Sequence, residues 1–419
     1  MTLPGKKSIL FRTGAQPDTI DTSGIIARET YMSFEIDSDY VTGILSRLVQ
    51  TPSVNPGLIK GGSGEDEVAT YIAQKMRDLG LTVEVTEVSS GRPNIVGRLS
   101  GSGGGKRLLL NAHMDTVGVD EMADPFGGNI VDGKLYGRGA YDMKGGLAAM
   151  MGAVKAINDA GLSLNGDLLV TAVCDEEYAS VGADALVGKY SADGAIVTEP
   201  TDLAICRAHR GFIWYEVVTS GRAAHGSRYN EGIDANMRMG RFLAELDRLE
   251  KALRARTPHP LLGTPSLHAS TLQGGTAFSV YAASCKLQLE RRTLPDEEQS
   301  EITATLEAIA SSLASRDETF QAEISTVFAR SPFEISQEAD IVSTVQAASS
   351  RYLKRVPAHI GQTYWTDAAV LADAGMETVI IGPKGHGLHS KEEWVDVESV
   401  VTLAGILAES ARLYCGETS

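Results

Sequence analysis

The chain has 419 residues, of which 43% are hydrophobic and 22% are charged, and its formal net charge at pH 7 is -16. This length predicts two domains rather than one compact core. The acidic balance argues against a nucleic-acid or membrane-surface partner, because both attract basic surfaces.

The first half of the chain predicts an α/β domain. Helices are expected at 39–49, 65–79 and 182–189, and strands at 82–88, 94–99, 107–112, 168–173 and 194–197. The run at 107–112 is short and largely apolar, as expected of a buried central strand. Strands that alternate with helices predict a mainly parallel sheet with helices on both faces.

The pattern changes at about residue 212. Strands at 212–219, 282–290 and 319–327, with helices at 235–253 and 298–313, predict a small inserted α+β domain. After about residue 332 the α/β pattern returns. The expected organisation is therefore an N-terminal arm at 1–35, a catalytic domain in two parts at 36–211 and 331–419, and an inserted domain at 212–330.

The four cysteines are Cys174, Cys206, Cys285 and Cys415. They form no Cys-x-x-Cys pair, and three of them lie in apolar, strand-like runs. We therefore expect buried free thiols and a reducing, cytoplasmic compartment. A nucleophilic role for Cys174, next to Asp175, is the less favoured alternative. No apolar run reaches membrane-spanning length, and residues 1–34 lack the apolar stretch of a signal peptide.

Residues of the types that can bind metals follow the predicted strands. His113 comes directly after the run at 107–112, and ligands of open α/β sheets bind at the carboxyl ends of strands. Asp115 points to the same side of an extended segment. Its carboxylate can hold one ring N–H of His113 while the other ring nitrogen binds a metal. The alternative is an ordinary histidine whose hydrogen bonds are satisfied at a strand end.

A glycine-rich turn surrounds Asp142, with Gly137 and Gly139 before it and Gly145 and Gly146 after it. Glycines allow the backbone to approach a crowded site. The helix that follows also favours a carboxylate at its N-terminus. Two alternatives are an aspartate that only caps this helix and a phosphate-binding loop, although the spacing matches no phosphate motif.

Further carboxylates follow two more strands. Glu176 and Glu177 are adjacent and point different ways, so that one can bind metal while the other acts as general base. Glu199 follows the next apolar strand. A solvated acidic loop or an ordinary turn carboxylate is the alternative for each. His389 lies in a glycine-rich segment near the C-terminus, where His386 competes for the ligand role.

These residues fall at successive strand ends of one predicted sheet. Two imidazoles and several carboxylates suit a pair of divalent metals. One carboxylate must bridge the metals, and one must stay free to move a proton. The set predicts metal-assisted hydrolysis.

The same residues resemble the motifs of the two-metal amidohydrolases that include acetylornithine deacetylase, succinyl-diaminopimelate desuccinylase, aminoacylase-1 and glutamate carboxypeptidase. The similarity covers roughly residues 40–413. Its motifs are His113-Met114-Asp115, Gly137-Arg138-Gly139, Asp142-Met143-Lys144-Gly145-Gly146, Asp175-Glu176-Glu177, Glu199-Pro200-Thr201 and His389 followed by Glu392 or Glu393.

The resemblance implies a role for each residue. The metal ligands would be His113 and Glu199 for one ion, Glu177 and His389 for the other, and Asp142 as the bridge. Asp115 would orient His113, and Glu176 would be the general base. The family's histidine ligand precedes a Ser or Thr and an acidic residue, which favours His389 over His386.

The resemblance also implies that the inserted domain is a dimerisation lid. It would supply His225 to stabilise the oxyanion, often across the dimer, and Arg292 to pair with a substrate carboxylate. Two departures from the family pattern are Ser279 after Gly274-Gly275, where Asn is common, and Gly226, where Ser is common. Tyr364 and Trp365 add bulk close to the site. The expected substrate-binding residues are therefore Arg292, Ser279, Gly275, Tyr364 and Trp365.

The predicted function is a metal-dependent hydrolase that cleaves a C–N bond, most often the amide of an N-acyl amino acid or short peptide. A metal-activated water would attack, with Glu176 as general base and two Zn, Mn or Co ions as cofactors. One alternative removes an amino group from an aromatic acid, in the manner of 5-nitroanthranilate aminohydrolase. Another is a non-catalytic metal-binding protein. The expected partners are a small carboxylate-bearing substrate and further copies of the chain, as a homodimer or larger homo-oligomer.

Overall fold

The computed structural model describes residues 34–417, so the predicted arm at 1–35 lies almost entirely outside the described residues. The helices are α1 Ser38–Gln50, α2 Asp66–Asp78, α3 Gly145–Asp159, α4 Val181–Val187, α5 Ala235–Arg254, α6 Gln299–Ala314, α7 Asp340–Leu353, α8 Ala368–Asp373 and α9 Val397–Cys415. The strands are β1 Thr82–Ser89, β2 Arg92–Leu99, β3 Leu108–His113, β4 Ile130–Val131, β5 Lys134–Tyr136, β6 Leu168–Val173, β7 Gly194–Val197, β8 Ile205–His209, β9 Gly211–Ser220, β10 Ser266–Gly274, β11 Ser284–Thr293, β12 Ala322–Arg330, β13 Phe333–Glu334, β14 His359–Gln362, β15 Glu377–Ile380, β16 Gly385–His386 and β17 Trp394–Asp396.

The largest sheet has the order β1-β2-β6-β3-β7-β15-β8-β13, and β14 pairs with β8. Its centre is parallel, because β3 runs parallel to β6 and β7, and β15 runs parallel to β7. Its edges are antiparallel at β1–β2 and β8–β13. The sheet is therefore mixed rather than mainly parallel: a tight turn joins β1 to β2, and such a turn permits only antiparallel pairing.

Helices cover both faces of this sheet, as the sequence predicts. Leu108 and Leu110 of β3 pack into a core that includes residues of α1, α3 and α9. Leu109 points to the other face and packs with residues of α4 and α8. Because β3 is buried on both faces along its whole length, its sequence is largely apolar, with Asn111 and His113 as the polar residues.

The second sheet is antiparallel in the order β10-β11-β9-β12. Along β9 burial alternates: Ile213, Tyr215 and Val217 are buried in a core that includes residues of α5 and α6, while Phe212 and Trp214 lie on the opposite face. This sheet and its helices lie between residues 211 and 330. The division into catalytic domain and inserted lid at 212–330 stays a prediction.

A small third sheet with the order β16-β17-β5-β4 joins distant parts of the chain. Its β17 pairs with β5, so the segment around His389 lies beside the turn that carries Asp142. All four cysteines are buried and free, as predicted. Within residues 34–417, none of the helices has the length and apolar character needed to cross a membrane.

Candidate active site

Three strand ends meet at one edge of the large sheet. In the parallel register, His113 of β3 lies opposite Val173 of β6, and Asn111 lies opposite Val197 of β7. The residues that follow β6 and β7 include Glu176 and Glu199, so both glutamates reach the same edge as His113. This is the position where open α/β sheets bind ligands.

The side chain of Asp142 lies between two histidines. Its Oδ1 is 3.2 Å from Nε2 of His113, and its Oδ2 is 3.4 Å from Nε2 of His389. Nε2 of His389 is also 3.0 Å from Oε2 of Glu177. Asp142 can therefore bridge two ions, one on the His113 side and one on the His389 side.

The His113 side holds two more carboxylates. Nε2 of His113 is 3.6 Å from Oε1 of Glu199 and 3.9 Å from Oε2 of Glu176. Ligand atoms of His113, Glu176 and Glu199 all lie within 4.8 Å of one another, and the same holds for His113, Asp142 and Glu177. The structure thus brings together the predicted metal ligands and the predicted general base.

His386 is placed away from this cluster. Its ring stacks on Trp394, with 6.1 Å between the ring centroids, and its side chain is exposed. His389 instead contacts both Asp142 and Glu177 and has a left-handed backbone, with φ at 54°. The geometry supports the choice of His389 over His386.

Burial dominates the acid–base properties of the glutamates. It raises the pKa of Glu176 and of Glu199 well above the ordinary value; His113 opposes this shift and the neighbouring carboxylates reinforce it. Burial and the nearby Asp142 raise the pKa of Glu177 to about 7. Buried carboxylates that crowd one another disfavour their charged forms.

The pKa values of the two histidines are also raised, but for a histidine this shift favours the charged form. Burial opposes the charged form of His113, but Glu199 and Asp142 outweigh it and raise its pKa. Hydrogen bonds to Asp142 and Glu177 raise the pKa of His389 to about 10. Burial alone would raise the pKa of Asp142, but its two histidine partners hold it below the ordinary value.

This charge arrangement fits divalent cations. In the part of the chain that the structure describes, the ion pairs of Asp142, Glu176, Glu177 and Glu199 are made with the two histidines alone. Four acidic groups therefore share two imidazoles, and a bound cation would stabilise the charged carboxylates that burial disfavours. Carboxylate oxygens and imidazole nitrogens are the donors that zinc, manganese and cobalt accept.

The carboxylate of Asp115 holds the backbone that carries the two glutamates. Its carboxylate accepts hydrogen bonds from the N–H of Glu176 at 3.1 Å and of Glu177 at 3.2 Å. The ring Nδ1 of His113 lies 2.9 Å from the main-chain oxygen of Asp115 and 3.6 Å from its carboxylate. The main-chain oxygen is thus the nearer partner of the ring, which orients His113.

A further carboxylate, Glu393, supports the turn of Asp142. It is buried and accepts hydrogen bonds from the backbone N–H groups of Gly139, Tyr141 and Asp142 and from Arg138. In the sequence, either Glu392 or Glu393 could complete the motif of His389, and neither had a predicted function. Only the pairing of β17 with β5 shows which of the two faces the turn.

Asp367 was not predicted at all, although it lies in the site. It is 1% exposed, and neither of its carboxylate oxygens has a hydrogen-bond partner among the described residues. Burial raises its pKa to about 7, with His113 opposing the shift. The only sequence signal is its position two residues after Trp365.

The lid residues His225 and Ser279 lie together. Nδ1 of His225 is 2.8 Å from Oγ of Ser227, and the N–H of Gly226 donates to the carbonyl of Ser279 at 2.7 Å. Gly275 directly follows β10, with φ at 78°. Within residues 34–417, the hydrogen bonds of His225 stay inside the lid, so its predicted oxyanion role stays a prediction.

Arg292 lies on the same sheet face as Phe212. Its Nε donates to Oε1 of Glu290 at 2.6 Å, and its guanidinium lies 5.3 Å from the ring centroid of Phe212. The side chain is 31% exposed, so its remaining N–H groups can reach a ligand. This placement supports the predicted carboxylate-binding role.

Tyr364 and Trp365 hold neighbouring segments of the site. The hydroxyl of Tyr364 donates to the carbonyl of Pro200 at 2.5 Å, next to Glu199. The indole N–H of Trp365 donates to the carbonyl of Ser331 at 3.0 Å. Each polar group already has a protein partner, so contact with a substrate would be made by the ring faces.

Comparison with known proteins identifies the family. Residues 109–413 match the family described as Peptidase family M20/M25/M40. An N-formyl-4-amino-5-aminomethyl-2-methylpyrimidine deformylase from Bacillus subtilis (strain 168) is 29% identical over 381 residues, which cover 83% of this chain and 89% of that protein. An acetylornithine deacetylase from Myxococcus xanthus is 29% identical over 377 residues, which cover 88% and 95% respectively.

The fold is shared with solved structures. The aminopeptidase PepT from Bacillus cereus ATCC 10987 superposes with a TM-score of 0.77 at 20% identity, covering 91% of this chain and all of that one. The predictions of an α/β fold and of a metal-dependent hydrolase that uses divalent metals are confirmed. Because the family match spans more than half of its length, the chain belongs to the M20/M25/M40 family of peptidases.

Proposed function

We propose that the protein hydrolyses the amide bond of an N-acyl amino acid or short peptide. The observation that carries this proposal is the position of Asp142 between His113 and His389, with Glu176 at the same strand-end edge. The names of the deacetylase, the deformylase and the aminopeptidase above describe removal of an acyl group or cleavage of a peptide, and they support this reaction class.

The metal ligands would be His113 and Glu199 on one side, Glu177 and His389 on the other, and Asp142 between them. When bound, two divalent ions would lower the pKa of a water molecule and polarise the substrate carbonyl. Zinc, manganese and cobalt all suit this donor set.

Glu176 would carry the proton. Its carboxylate accepts a proton from water as the water oxygen bonds to the carbonyl carbon. It then gives this proton to the amide nitrogen as the C–N bond breaks, so that a carboxylic acid and an amine are released. A group that both accepts and donates a proton works best with a pKa near the working pH, and burial raises the pKa of Glu176 in this direction.

Two lid residues would complete the site. His225 would donate a hydrogen bond to the oxygen that becomes negative when water adds to the carbonyl. Arg292 would bind the substrate carboxylate, because a guanidinium offers a bidentate pair of N–H groups. Movement of the lid toward the strand-end edge would bring both residues to the substrate.

The proposed compartment and assembly rest on separate observations. Four buried free cysteines suit the reducing cytoplasm. A homodimer through the lid is supported by its edge strand β10, which is exposed along most of its length and includes Leu272. An unpaired edge strand can pair with a second copy.

A mixed-substrate assay tests the reaction. Purified protein would be loaded with zinc, manganese or cobalt and incubated with N-acyl amino acids, dipeptides, N-carbamoyl compounds and amino-substituted aromatic acids, with products read by mass spectrometry. We expect loss of an acyl group or cleavage of a dipeptide, and turnover by Glu176→Gln that is slower by about 100-fold or more. A metal-loaded protein that cleaves none of the amides would contradict the proposal.

One observation favours a second candidate, the removal of an amino group from an aromatic acid. Phe212, Trp214 and Phe328 form a cluster of rings on one face of the lid sheet, with centroids 5.1–5.8 Å apart. Trp365 extends this ring cluster, because its ring centroid lies 6.3 Å from that of Phe212. Aromatic rings prefer such neighbours for stacking. Release of ammonia from the aromatic acids alone, with every amide intact, would favour this reaction.

A further inference from the structure

The geometry points to Asn55 as a positioning residue of the catalytic centre: its amide joins Asp115 to Asp175 and so fixes the backbone of Glu176 and Glu177. This inference rests on the proposed function, because it assigns Asn55 a role in the metal and proton chemistry of that same site. Neither the metal-ligand pattern nor the family motifs included Asn55.

The amide of Asn55 has all its hydrogen-bonding groups in use. Its Nδ2 donates to Oδ2 of Asp115 at 2.7 Å and to Oδ1 of Asp175 at 3.1 Å. Its Oδ1 accepts from the N–H of Gly57 at 2.8 Å. The residue is fully buried. Each hydrogen of the NH2 group therefore serves a different carboxylate, while the amide oxygen accepts from the backbone, a combination that neither aspartate nor alanine can supply.

The first of these carboxylates controls three functional residues. Asp115 accepts the backbone N–H groups of Glu176 and Glu177, and its main-chain oxygen lies 2.9 Å from the ring Nδ1 of His113. A displacement of Asp115 would therefore move the proposed base and a metal ligand on each side of the cluster. Partners of metal ligands act by fixing ligand direction in this way.

The second carboxylate starts the loop that carries the glutamates. Asp175 has a left-handed backbone, with φ at 69°. This conformation is unfavourable for a residue with a Cβ, although Asp tolerates it better than most. Its carbonyl accepts from the N–H of Ala179 at 3.1 Å and of Ser180 at 2.6 Å. The loop that includes Glu176 is thus closed on Asp175.

Asp175 is anchored in turn by Arg92, whose side chain is 11% exposed. Nη1 of Arg92 donates to Oδ1 of Asp175 at 2.6 Å, and Nε of Arg92 donates to Oε2 of Glu65 at 2.9 Å. Glu65 is fully buried. A continuous chain of hydrogen bonds thus runs from Glu65 through Arg92, Asp175 and Asn55 to Asp115.

Asn55 is the neutral member of this chain. The Arg92 guanidinium faces Asp175 and Glu65, so the Asp115 carboxylate depends on Asn55 and backbone N–H groups. A carboxylate at position 55 would keep the shape but face two other carboxylates and offer them no hydrogen. Like charges within hydrogen-bond distance at a buried site repel strongly.

The backbone holds Asn55 in place. The N–H of Asn55 donates to the carbonyl of Thr116 at 2.9 Å, and the N–H of Thr116 donates to the carbonyl of Ser53 at 2.9 Å. These two bonds bind the segment of Asn55 alongside that of Asp115. The side-chain amide is therefore held in register with the carboxylate that it supports.

The test compares Asn55→Asp, which keeps the shape and adds a charge, with Asn55→Ala, which removes the amide. The matched control is Asn94→Asp: Asn94 is also buried, but its amide contacts only the backbone, at the carbonyl of Gly182 (2.7 Å) and the N–H of Cys174 (3.1 Å). Each full-length protein would be titrated with Co2+ and followed by its visible absorption spectrum. Melting temperature, kcat and KM would be measured alongside.

Both Asn55 variants are expected to bind Co2+ about 10 to 100-fold more weakly and to show an altered spectrum. Their kcat is expected to fall by a larger factor than their KM changes. Asn94→Asp is expected to melt earlier yet bind Co2+ with the wild-type affinity and spectrum. The inference is overturned if both Asn55 variants keep the wild-type affinity and spectrum, or if Asn94→Asp weakens Co2+ binding equally. A wild-type protein that binds Co2+ but cleaves no amide would refute the proposed function, while the Co2+ comparison would still decide the role of Asn55.

Discussion

The carboxylate of Glu393 accepts a hydrogen bond from the backbone N–H of Asp142 at 3.1 Å, although the two residues are 251 positions apart in the chain. The same carboxylate accepts the N–H groups of Gly139 and Tyr141, at 3.0 and 2.9 Å. Glu393 thus holds the turn whose aspartate lies between the two histidines. The C-terminal part of the chain contributes His389 to the site and also fixes the position of Asp142.

Substitution Glu393→Gln is therefore expected to weaken metal binding by about 10 to 100-fold, as loss of such supporting groups does elsewhere. It also leaves the buried Arg138 without its charged partner, 2.7 Å away, and breaking a buried ion pair costs on the order of 3–5 kcal/mol. Metal titration and urea unfolding would measure the two effects. The control is the exposed neighbour in Glu392→Gln. Equal effects of both substitutions would contradict the supporting role of Glu393.

Substitution Glu176→Gln should lower kcat by about 100 to 10,000-fold, the usual contribution of a general acid–base group. A glutamine keeps the volume of the side chain but cannot carry the proton. Metal content is expected to stay at the wild-type level, because the proposed ligands are unchanged. Elemental analysis and steady-state kinetics of the same sample would measure both. Near-normal turnover by the metal-replete variant would remove the base assignment.

Substitution His225→Ala should lower kcat by about 100 to 1,000-fold, the range seen when one oxyanion donor is removed. Metal content should not change, since the hydrogen bonds of His225 are made within the lid. His268→Ala is the matched control, because His268 is an exposed lid histidine on β10. If His225→Ala loses metal instead, His225 belongs among the ligands and the oxyanion role is wrong.

The stability of the protein should fall between pH 6.5 and about 4 because of His209. Burial lowers the pKa of this histidine to about 4, whereas in the unfolded chain it is about 6.5. Above pH 6.5 both states hold His209 neutral, so it adds no pH dependence. Below pH 6.5 the unfolded state binds a proton that the folded state does not, and this favours unfolding.

At pH 5 this difference amounts to about 2 kcal/mol, at 1.36 kcal/mol for each pKa unit. Urea unfolding at pH 7 and pH 5 would measure the free energy of unfolding of the wild type and of His209→Phe. The variant is expected to lose about 2 kcal/mol less than the wild type between the two pH values. His386→Gln, at an exposed histidine, should behave as the wild type. Equal losses in all three proteins would refute the buried neutral state of His209.

The sequence predicted most helices and strands to within a few residues. The expected helix at 39–49 corresponds to Ser38–Gln50, and the expected strand at 168–173 is β6. Strand β10 was missed, because seven consecutive residues from His268 to Gly274 are exposed and carry no apolar alternation. The short strands β8 and β14 were also missed.

The residues of the candidate site also fall into those that the sequence predicted and those that it missed. The sequence predicted the candidate residues, because His113, Glu176 and Glu199 each follow an apolar strand and a chance scatter would seldom place them so. The resemblance to the two-metal amidohydrolases then assigned them their expected roles. The places of Asn55 and Asp367 in the site, and the choice of Glu393 over Glu392, came from the folded structure alone. Asn55 holds Asp115, 60 positions away, and Glu393 holds Arg138, 255 positions away. Local patterns of polarity cannot report such distant contacts. Pairing of strands and closure of loops decide which buried polar group meets which, and these depend on the packing of the whole chain.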